Sequence, residues 1–598
     1  MWPSSLTKKI VIVGLFALAF VVRLVFVIQW NDMPYGMHPI LDAEAYDTWA
    51  MTIADGHWLR STAFYQSPLF PYLAGILYRV FGHDYLIIGL FNAILGVLTV
   101  GVLWRIADRS FGFLAGALTA LLAVLYRPMV FYAAPVMKEE LGLFLLSLFL
   151  LLALRALNGN KARDFIGCGA ILGLFALVRG NALFLALLVP LLAFRQHRQA
   201  SLKNSALFIG AMIAFVAPAT LHNYIVSHDF VPVNYSYGFN LYIGNSPSAD
   251  GTNRFPPGIS VNPAGEESDV SRSARAETGR NLKPSEVSAY WRGRALDYAW
   301  QHPLRELDLL KSKVWFFISK TEAIDNYDLD FIQSNFPSIL GLTFPGIELI
   351  LCLAVFTLVA TGKSRPQTVV IGCMAAAYIL SVLPFYVTDR YQLPVVVFLL
   401  PLAGAAFPAA QDLIAAKKTR RLIMAGGAAL GLLGLSLMRI PIVVDVTAYD
   451  WGVLSAIYAD AGQDAEALKA MYKALALSPA TMGEQSLVRG AYIEERMGHK
   501  KAVQRLLDIA RDNYPNSSDV WYNYARMRAL QGDFAGALAP LQQAVKLSPD
   551  NVLYHATLAH VYFKLGDRAR ATEVLNQGLA LSPNDPGLLQ DRAELQGD

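Results

Sequence analysis

The chain has 598 residues, of which 55% are hydrophobic and 16% are charged, and its formal net charge is +4. A mean hydropathy of +0.38 excludes an ordinary soluble domain, and repeated long apolar runs indicate a polytopic membrane protein. The small net charge gives no indication of a nucleic-acid partner. The cysteines, Cys168, Cys352 and Cys373, lie in apolar segments without metal-ligand spacing, so they are interpreted as packing residues.

The first apolar run follows Lys8 and Lys9 and continues to Trp30, which is too long for a typical signal peptide and predicts an uncleaved first span. The chain contains about eleven runs near the ~20 residues that a bilayer requires. The predicted spans are 10–30, 85–107, 111–126, 139–156, 165–178, 181–194, 205–225, 345–361, 367–387, 393–410 and 421–440. The short pair within 165–194 is counted as two spans.

Lys and Arg are concentrated in alternate connecting segments, which is the pattern expected of cytoplasmic loops. This bias predicts a cytoplasmic N-terminus and an outer C-terminus. The residues that carry it are Lys8, Lys9, Arg105, Arg109, Arg155, Lys161, Arg163, Arg195, Arg198, Lys203, Lys363, Arg365, Lys417, Lys418, Arg420 and Arg421. The composition favours a bacterial inner membrane with the outer segments in the periplasm.

Three outer regions are large. They are a first loop at 31–84, a second loop at 226–344 whose later part predicts two helices, and a soluble domain at 441–598. The domain boundaries are therefore predicted as 1–440 for the membrane domain and 441–598 for the C-terminal domain.

The C-terminal domain contains a sequence repeat. Glycines recur at 462, 498, 532 and 566, and prolines at 479, 515, 549 and 583, with spacings of 36, 34 and 34 residues in both series. This period predicts tetratricopeptide repeats, with Gly at the turn between two helices and Pro after the second helix. Stacked helix pairs of this kind form a concave surface that suits an extended peptide or a partner protein, although a purely structural cap is the alternative.

The first outer loop begins with "LDAEAYDTWA", in which Asp42, Tyr46 and Trp49 share one face of a helix and Glu44 lies on another. A carboxylate among aromatic rings is typical of a sugar-binding site. The alternative is a solvated helix N-terminus, where an acid is favoured by the helix dipole.

Other ionisable residues are predicted near the same membrane face. Lys138, Glu139 and Glu140 open the fourth span, Arg179 separates two short apolar runs, and Arg390 with Tyr391 begins a late span. Such residues are costly at a membrane boundary and often mark function. An Arg there can bind a phosphate group, whereas a snorkelling Lys138 or an interfacial Arg/Tyr anchor is the structural alternative.

The order of these pieces over residues 8–440 resembles the GT-C superfamily of membrane glycosyltransferases. It is similar to the protein O-mannosyltransferase and lipid A aminoarabinose transferase group, of the family 39 type. The elements that carry the resemblance are "LDAEAY", "SPLFPYLAGILYRVFG", "PVMKEEL", "LVRGN", the loop from "HNYIVSHDF" to "NSPSADG", and "TDRYQLPVVVFLLPLAG". Gln392 replaces the usual Arg, and Ala43 separates Asp42 from Glu44 where the mannosyltransferases have an adjacent Asp-Glu pair.

The resemblance implies an all-α GT-C fold of about eleven membrane helices, followed here by a tetratricopeptide α-solenoid. It implies an inverting transfer of one sugar from a polyprenyl-phosphate donor to an acceptor hydroxyl. Asp42 would be the base, and Glu139 would orient a substrate or hold a metal. Lys138, Arg179, Arg390 and Tyr391 would bind the donor phosphate, and Glu44, Tyr46 and Trp49 would contact substrate.

The same resemblance leaves the cofactor open, because some relatives use a divalent metal such as Mg²⁺ or Mn²⁺ and others do not. The expected partners are the donor lipid, the bilayer and an acceptor protein bound through the repeats. Two other functions stay open: a ligase or oligosaccharyltransferase for polyprenyl-linked oligosaccharides, and a non-enzymatic scaffold or transporter in envelope polysaccharide export.

Overall fold

The computed structural model describes residues 4–197, 201–319, 323–344, 346–362, 365–438, 447–478, 483–583, 585, 587–590 and 592. The chain divides into two compact units, Met1–Pro441 and Ile442–Asp598. The predicted boundary between residues 440 and 441, like the repeat residue Pro479, lies outside the described residues. Throughout the described ranges the regular structure is helical, and an isolated bridge joins Tyr126 to Phe344.

The first part of the first unit contains the following helices, some of which lie in the first outer loop at 31–84. They are α1 (Ser5–Asn31), α2 (Pro34–Met37), α3 (Asp42–Ala54), α4 (Leu69–Phe81), α5 (Tyr85–Phe111), α6 (Phe113–Leu125), α7 (Arg127–Phe131), α8 (Glu139–Gly159), α9 (Ala162–Ala176), α10 (Leu185–His197) and α11 (Leu202–Ser227). A 3-10 helix at Gly180–Phe184 separates α9 from α10.

The second outer loop and the later apolar helices complete this unit. They are α12 (Tyr237–Gly244), α13 (Pro263–Thr278), α14 (Pro284–Gln301), α15 (Pro303–Ile318), α16 (Leu329–Asn335), α17 (Glu348–Thr361), α18 (Pro366–Val382), α19 (Asp389–Gln392), α20 (Val396–Gly404), α21 (Ala406–Ala415) and α22 (Thr419–Ser436). Further 3-10 helices lie at Ile339–Leu342 and Leu393–Val395.

Five of these helical segments are long and apolar enough to cross a membrane: α1, α5, α8, α11 and the continuous stretch Asp389–Ala415. Five further apolar helices are shorter, and the 13 residues of α6 fall below the ~20 that a straight span requires. A multi-pass membrane protein is therefore confirmed, whereas the predicted count of eleven spans is not.

The two helices predicted late in the second outer loop are confirmed as α14 and α15. Each begins with a proline at its first position, where the missing N–H is not required for a helical hydrogen bond. The side chain of Glu286 also accepts a hydrogen bond from the backbone N–H of Lys283 at 2.8 Å, which fixes the start of α14.

Small residues allow the apolar helices to approach closely. A Cβ atom on Gly173 of α9 would lie 2.7 Å from the Met212 carbonyl oxygen of α11, so the two backbones meet where there is no side chain. Close contact through glycine is typical of helix packing in membranes, where burial from water does not drive association.

The first unit also buries two ionisable side chains beside α5, namely Arg23 of α1 and Glu140 of α8. Both are 0% exposed, and both lie where a side chain on Gly96 would be placed. Ionisable groups are costly inside a membrane. The glycine in α5 therefore provides the space that the two side chains occupy.

The second unit is a series of antiparallel helix pairs: α23 (Thr447–Asp460), α24 (Asp464–Leu477), α25 (Glu484–Arg496), α26 (Lys500–Asn513), α27 (Ser518–Leu530), α28 (Phe534–Leu547), α29 (Val552–Lys564) and α30 (Arg568–Leu581). The turn glycines at 462, 498, 532 and 566 have φ between +71° and +82°, the left-handed region that favours glycine. Fully buried alanines let the helices pack closely: Ala467, Ala474, Ala491, Ala510, Ala525, Ala537 and Ala571. The predicted tetratricopeptide solenoid is confirmed.

Candidate active site

A cavity of about 170 Å³ lies in the first unit, where both outer loops meet the beginnings of α8 and α19. Its charged lining residues are Asp42, Lys138, Arg179, Glu266, Asp325 and Arg390. Its aromatic lining residues are Tyr46, Tyr65, Tyr237, Phe255, Phe385, Tyr386 and Tyr391. Amide and hydroxyl side chains complete it: Gln66, Ser67, Asn181, Asn234, Ser236, Asn240, Asn253 and Asn326.

Asp42 enters the cavity from the first residue of α3. The preceding Leu41 has φ of +50° and ψ of −121°, a strained conformation for a residue with a side chain, and such strain is often found at functional sites. Gln66 Nε2 donates to Asp42 Oδ1 at 2.9 Å, and Arg390 Nη1 donates to Asp42 Oδ2. Burial alone would raise the pKa of Asp42, but the charges of Arg390 and Lys138 outweigh it, so the pKa lies below its usual value.

Arg390 is held by acids from three separate elements and is only 7% exposed. Besides its bond to Asp42, its Nε atom donates to Asp325 Oδ2 at 2.8 Å and lies 3.8 Å from Glu139 Oε1. Three carboxylates around one guanidinium fix both its position and its plane.

Arg179 forms a second buried ion pair next to the first. Its Nη2 atom donates to Glu139 Oε1 at 2.9 Å and to the Arg390 carbonyl oxygen at 3.1 Å, while its guanidinium lies 5.1 Å from the centre of the Tyr391 ring. Glu139 does not line the cavity. It is 2% exposed and stands behind the two arginines, so its contact with both places them side by side.

Lys138 has a different environment. Its ammonium lies 5.4 Å from the centre of the Tyr46 ring, and no carboxylate in the described chain comes within ion-pair distance of it. Burial, followed by the nearby positive charges of Arg179 and Arg390, lowers the pKa of Lys138 to about 8. Lys138 is therefore a cavity cation that can accept an anionic ligand without first losing an ion pair.

The structure brings together Asp42, Tyr46, Lys138, Arg179, Arg390 and Tyr391 around the cavity, although they come from four distant parts of the chain. Two other predicted residues lie elsewhere. Glu44 is exposed. Trp49 packs against Phe64, with ring centres 5.5 Å apart, and lies under the Arg60 guanidinium at 4.7 Å. The expectation that Trp49 shares the cavity with Asp42 and Tyr46 is not met, because the outer loop itself covers that ring.

Most lining residues were not identified from the sequence, and among them are the polar residues Gln66, Glu266 and Asp325. Asp325 is the most central of them, since it contacts Arg390 and also accepts hydrogen bonds from Asn253 Nδ2 at 3.1 Å and Thr388 Oγ1 at 3.3 Å. The sequence offers no signal for Asp325, because it lies within a long polar loop well before the next predicted span at 345–361.

The cavity residues do not fit a metal ion. Among the described residues, no group of three or more His, Cys, Asp or Glu side chains is arranged to hold one. Divalent cations need several free oxygen ligands. Here Asp42 and Asp325 are engaged by Arg390 and Glu139 by Arg179, so no step is assigned to a metal.

Two parts of the chain match known protein families. Residues 65–222 match the family of dolichyl-phosphate-mannose-protein mannosyltransferases, and residues 528–591 match a tetratricopeptide repeat family. The predicted resemblance to membrane glycosyltransferases of this group, with repeats at the C-terminal end, is confirmed.

One curated relative is the protein O-mannosyl-transferase TMTC1 of Mus musculus. It is 32% identical over 117 residues, which are 18% of this chain and only 12% of the mouse protein. The chain thus matches a small part of that relative.

Two solved structures are also similar to this chain. ArnT of Cupriavidus metallidurans bound to undecaprenyl phosphate is 15% identical, with a TM-score of 0.38 over 88% of this chain and 81% of that one. The oligosaccharyltransferase AglB of Archaeoglobus fulgidus, in complex with an inhibitory peptide and a dolichol-phosphate, is 14% identical, with a TM-score of 0.39 over 75% of this chain and 58% of that one.

Proposed function

We propose that the protein transfers a sugar from a polyprenyl-phosphate donor to a hydroxyl of an acceptor protein, with inversion at the anomeric carbon. The observation that carries this proposal is the meeting of Asp42 with Lys138, Arg179 and Arg390 around one cavity of a multi-pass membrane unit. The match to a mannosyltransferase family supports the reaction class.

The cations supply what the leaving group requires. When the bond between the anomeric carbon and the phosphate oxygen breaks, its electron pair stays on the phosphate, whose negative charge increases. Donors that are fixed in place before the reaction stabilise such charge without reorganisation. Buried acids hold Arg390 and Arg179 rigid, and no carboxylate in the described part of the chain pairs with Lys138, so the three cations suit a phosphate group.

Asp42 takes the proton of the acceptor hydroxyl as its oxygen bonds to the anomeric carbon. In the ligand-free arrangement Asp42 is a weak base, because Arg390 neutralises it and lowers its pKa. A donor phosphate that accepts hydrogen bonds from the same guanidinium shares its positive charge, which weakens this ion pair and makes Asp42 more basic. Asp325 holds Arg390 by Nε, so the guanidinium stays at the site while the partner of Nη1 changes.

The second outer loop and the repeats are proposed to handle the acceptor. The Lys/Arg bias supports a cytoplasmic N-terminus, with both outer loops and the repeats in the periplasm of a bacterium. The confirmed solenoid supports recognition of an extended acceptor segment, since stacked helix pairs present a concave surface for peptides.

The proposal is tested with purified full-length protein, a labelled polyprenyl-phosphate hexose and a mixture of acceptor proteins. Asp42→Asn is expected to lower the transfer rate by about 10²–10⁴-fold, because the substituted amide cannot take the proton. The matched control is Asp55→Asn, an exposed acid just beyond the other end of α3, which is expected to transfer at the wild-type rate.

Transfer that persists at the wild-type rate in Asp42→Asn would exclude Asp42 as the base. A wild type that transfers nothing from any polyprenyl-phosphate hexose would exclude the reaction itself.

A further inference from the structure

The second outer loop contributes its own carboxyl group to the cavity. Glu266 lies in the first turn of α13, and Tyr65 Oη donates to Glu266 Oε1 at 2.5 Å. Tyr65 is only 2% exposed, so this hydrogen bond fixes the carboxyl group against the first outer loop. Glu266 Oε2 has no hydrogen bond within the described chain and is available to a ligand in the cavity.

A second polar atom of the cavity also lacks a hydrogen-bond partner among the described residues. Asn253 lines the cavity and uses its Nδ2 atom to bond Asp325, but its Oδ1 atom is buried and accepts no hydrogen bond in the described chain. A buried carbonyl oxygen without a donor is destabilising, and a ligand hydroxyl would satisfy it.

The cavity that these two polar groups line also contains aromatic rings. Tyr65, Phe255 and Tyr386 line the same cavity. Rings interleaved with a few fixed polar atoms suit a ligand that has apolar faces and hydroxyl groups at its edge, and a sugar ring has this character.

We propose that Glu266 and Asn253 form the subsite for the sugar of the donor, in which the Glu266 carboxyl group and the Asn253 carbonyl oxygen hydrogen-bond sugar hydroxyls. The inference rests on the proposed function, because it takes the phosphate of the same donor to lie at Lys138, Arg179 and Arg390. In this arrangement the cations recognise the lipid phosphate, whereas Glu266 and Asn253 of the second outer loop recognise the sugar.

The surroundings of Glu266 favour its neutral form. Burial raises its pKa to about 8, and the negative charges of Asp42, Asp325 and Glu267 act in the same direction, while the hydrogen bond from Tyr65 opposes them. Arg60 pairs with Glu267 at 3.8 Å and faces that neighbour. At neutral pH Glu266 therefore carries a proton that it can donate to a sugar oxygen, and a glutamine at this position reproduces its hydrogen bonding.

The test compares binding of the bare lipid phosphate with binding of the same lipid phosphate carrying a sugar. Full-length protein in nanodiscs is titrated with polyprenyl phosphate and with polyprenyl-phosphate mannose, glucose and galactose, and the tightest-binding sugar lipid is carried forward. Glu266→Ala is expected to bind that lipid about tenfold more weakly than wild type and to bind bare polyprenyl phosphate with unchanged affinity. Glu266→Gln is expected to bind both lipids like wild type.

Glu267→Gln is the matched control. Glu267 lies in the same helical turn and accepts a hydrogen bond from Tyr235 Oη at 2.9 Å, but it does not line the cavity, so its substitution is expected to change neither affinity.

Bare-lipid binding shows that each variant is folded. Equal weakening of both lipids in Glu266→Ala, or no weakening of the sugar lipid, overturns the sugar subsite. Loss of sugar-lipid affinity in Glu266→Gln overturns the neutral carboxyl group. A wild type that binds neither lipid overturns the proposed function and, with it, this inference.

Discussion

The membrane unit and the repeat unit use charged residues in opposite ways. At the cavity Arg390 and Arg179 are at most 7% exposed, and they pair with Asp325 and Glu139, whose side chains are 3% and 1% exposed. In the repeats the ion pairs are exposed: in the pair of Arg496 with Asp464, 61% and 35% of the side-chain surface remains accessible. The repeats depend instead on buried alanines and on glycine at each turn.

This difference shows where each unit is sensitive to substitution. A buried ion pair adds little net stability, but removal of one partner leaves an uncompensated charge and is strongly destabilising. An exposed pair in water contributes little in either case. Substitution of a buried charge in the membrane unit is thus expected to be strongly destabilising, whereas substitution of an exposed charge in the repeats is expected to have little effect.

The largest expected effect follows removal of the central cation. Arg390→Ala leaves Asp42 and Asp325 buried without their partner, which is expected to cost about 3–5 kcal/mol of stability and to abolish measurable transfer. Thermal unfolding and the transfer assay check both outcomes. Arg365→Ala, which removes an exposed pair with Asp412 in the same unit, is the control and is expected to match wild type. An Arg390→Ala variant that unfolds at the wild-type temperature would contradict the comparison.

A moderate effect is expected at a repeat turn. Gly532 has φ of +82°, so Gly532→Ala places a side chain in a left-handed conformation and is expected to cost about 1 kcal/mol. Hydrogen exchange in α27 and α28, read by mass spectrometry on the full-length protein, should accelerate. Gln531→Ala, one residue earlier with φ of −82°, should leave the exchange unchanged. Equal exchange in the two variants would mean that the turn conformation does not limit the stability of this repeat.

The smallest effect is expected at an exposed ion pair of the repeats. Arg496→Ala removes the contact of Nη2 with Asp464 Oδ1 at 2.5 Å, a pair in which both side chains are partly accessible to water. The expected loss is at most about 0.5 kcal/mol, further reduced by salt. The same hydrogen-exchange measurement on α24 and α25 checks it, and a loss above about 2 kcal/mol would show that exposed charges in the repeats do stabilise the fold.

Much of the fold could be predicted from the sequence because its signals are local. The repeat period, the glycine turns and the two proline-started helices of the second outer loop are all set by short stretches of chain. The span count could not be fixed in this way. Helices such as α6, with 13 residues, are apolar but too short to be assigned as spans by length alone.

The cavity could be predicted only in part. Helical spacing predicted that Asp42 and Tyr46 lie on one face of a helix, and both line the cavity. It could not predict that Phe64 and Arg60 cover the ring of Trp49. Asp325 and Glu266 were missed because an acid in a long polar loop resembles any surface acid. Their roles depend on contacts with Arg390 and Tyr65, which are 65 and 201 residues away in the chain.

The bond between Asp42 and Arg390 has a further consequence for turnover. Under the proposed mechanism, the lipid phosphate leaves with more negative charge than the donor carried, so the cations hold the product more tightly than the substrate. Asp42 competes for the same guanidinium once its proton has gone to solvent. Asp42 thereby also helps to release the lipid phosphate product. The rate of product release then depends on the same ion pair that makes Asp42 a weak base in the ligand-free site.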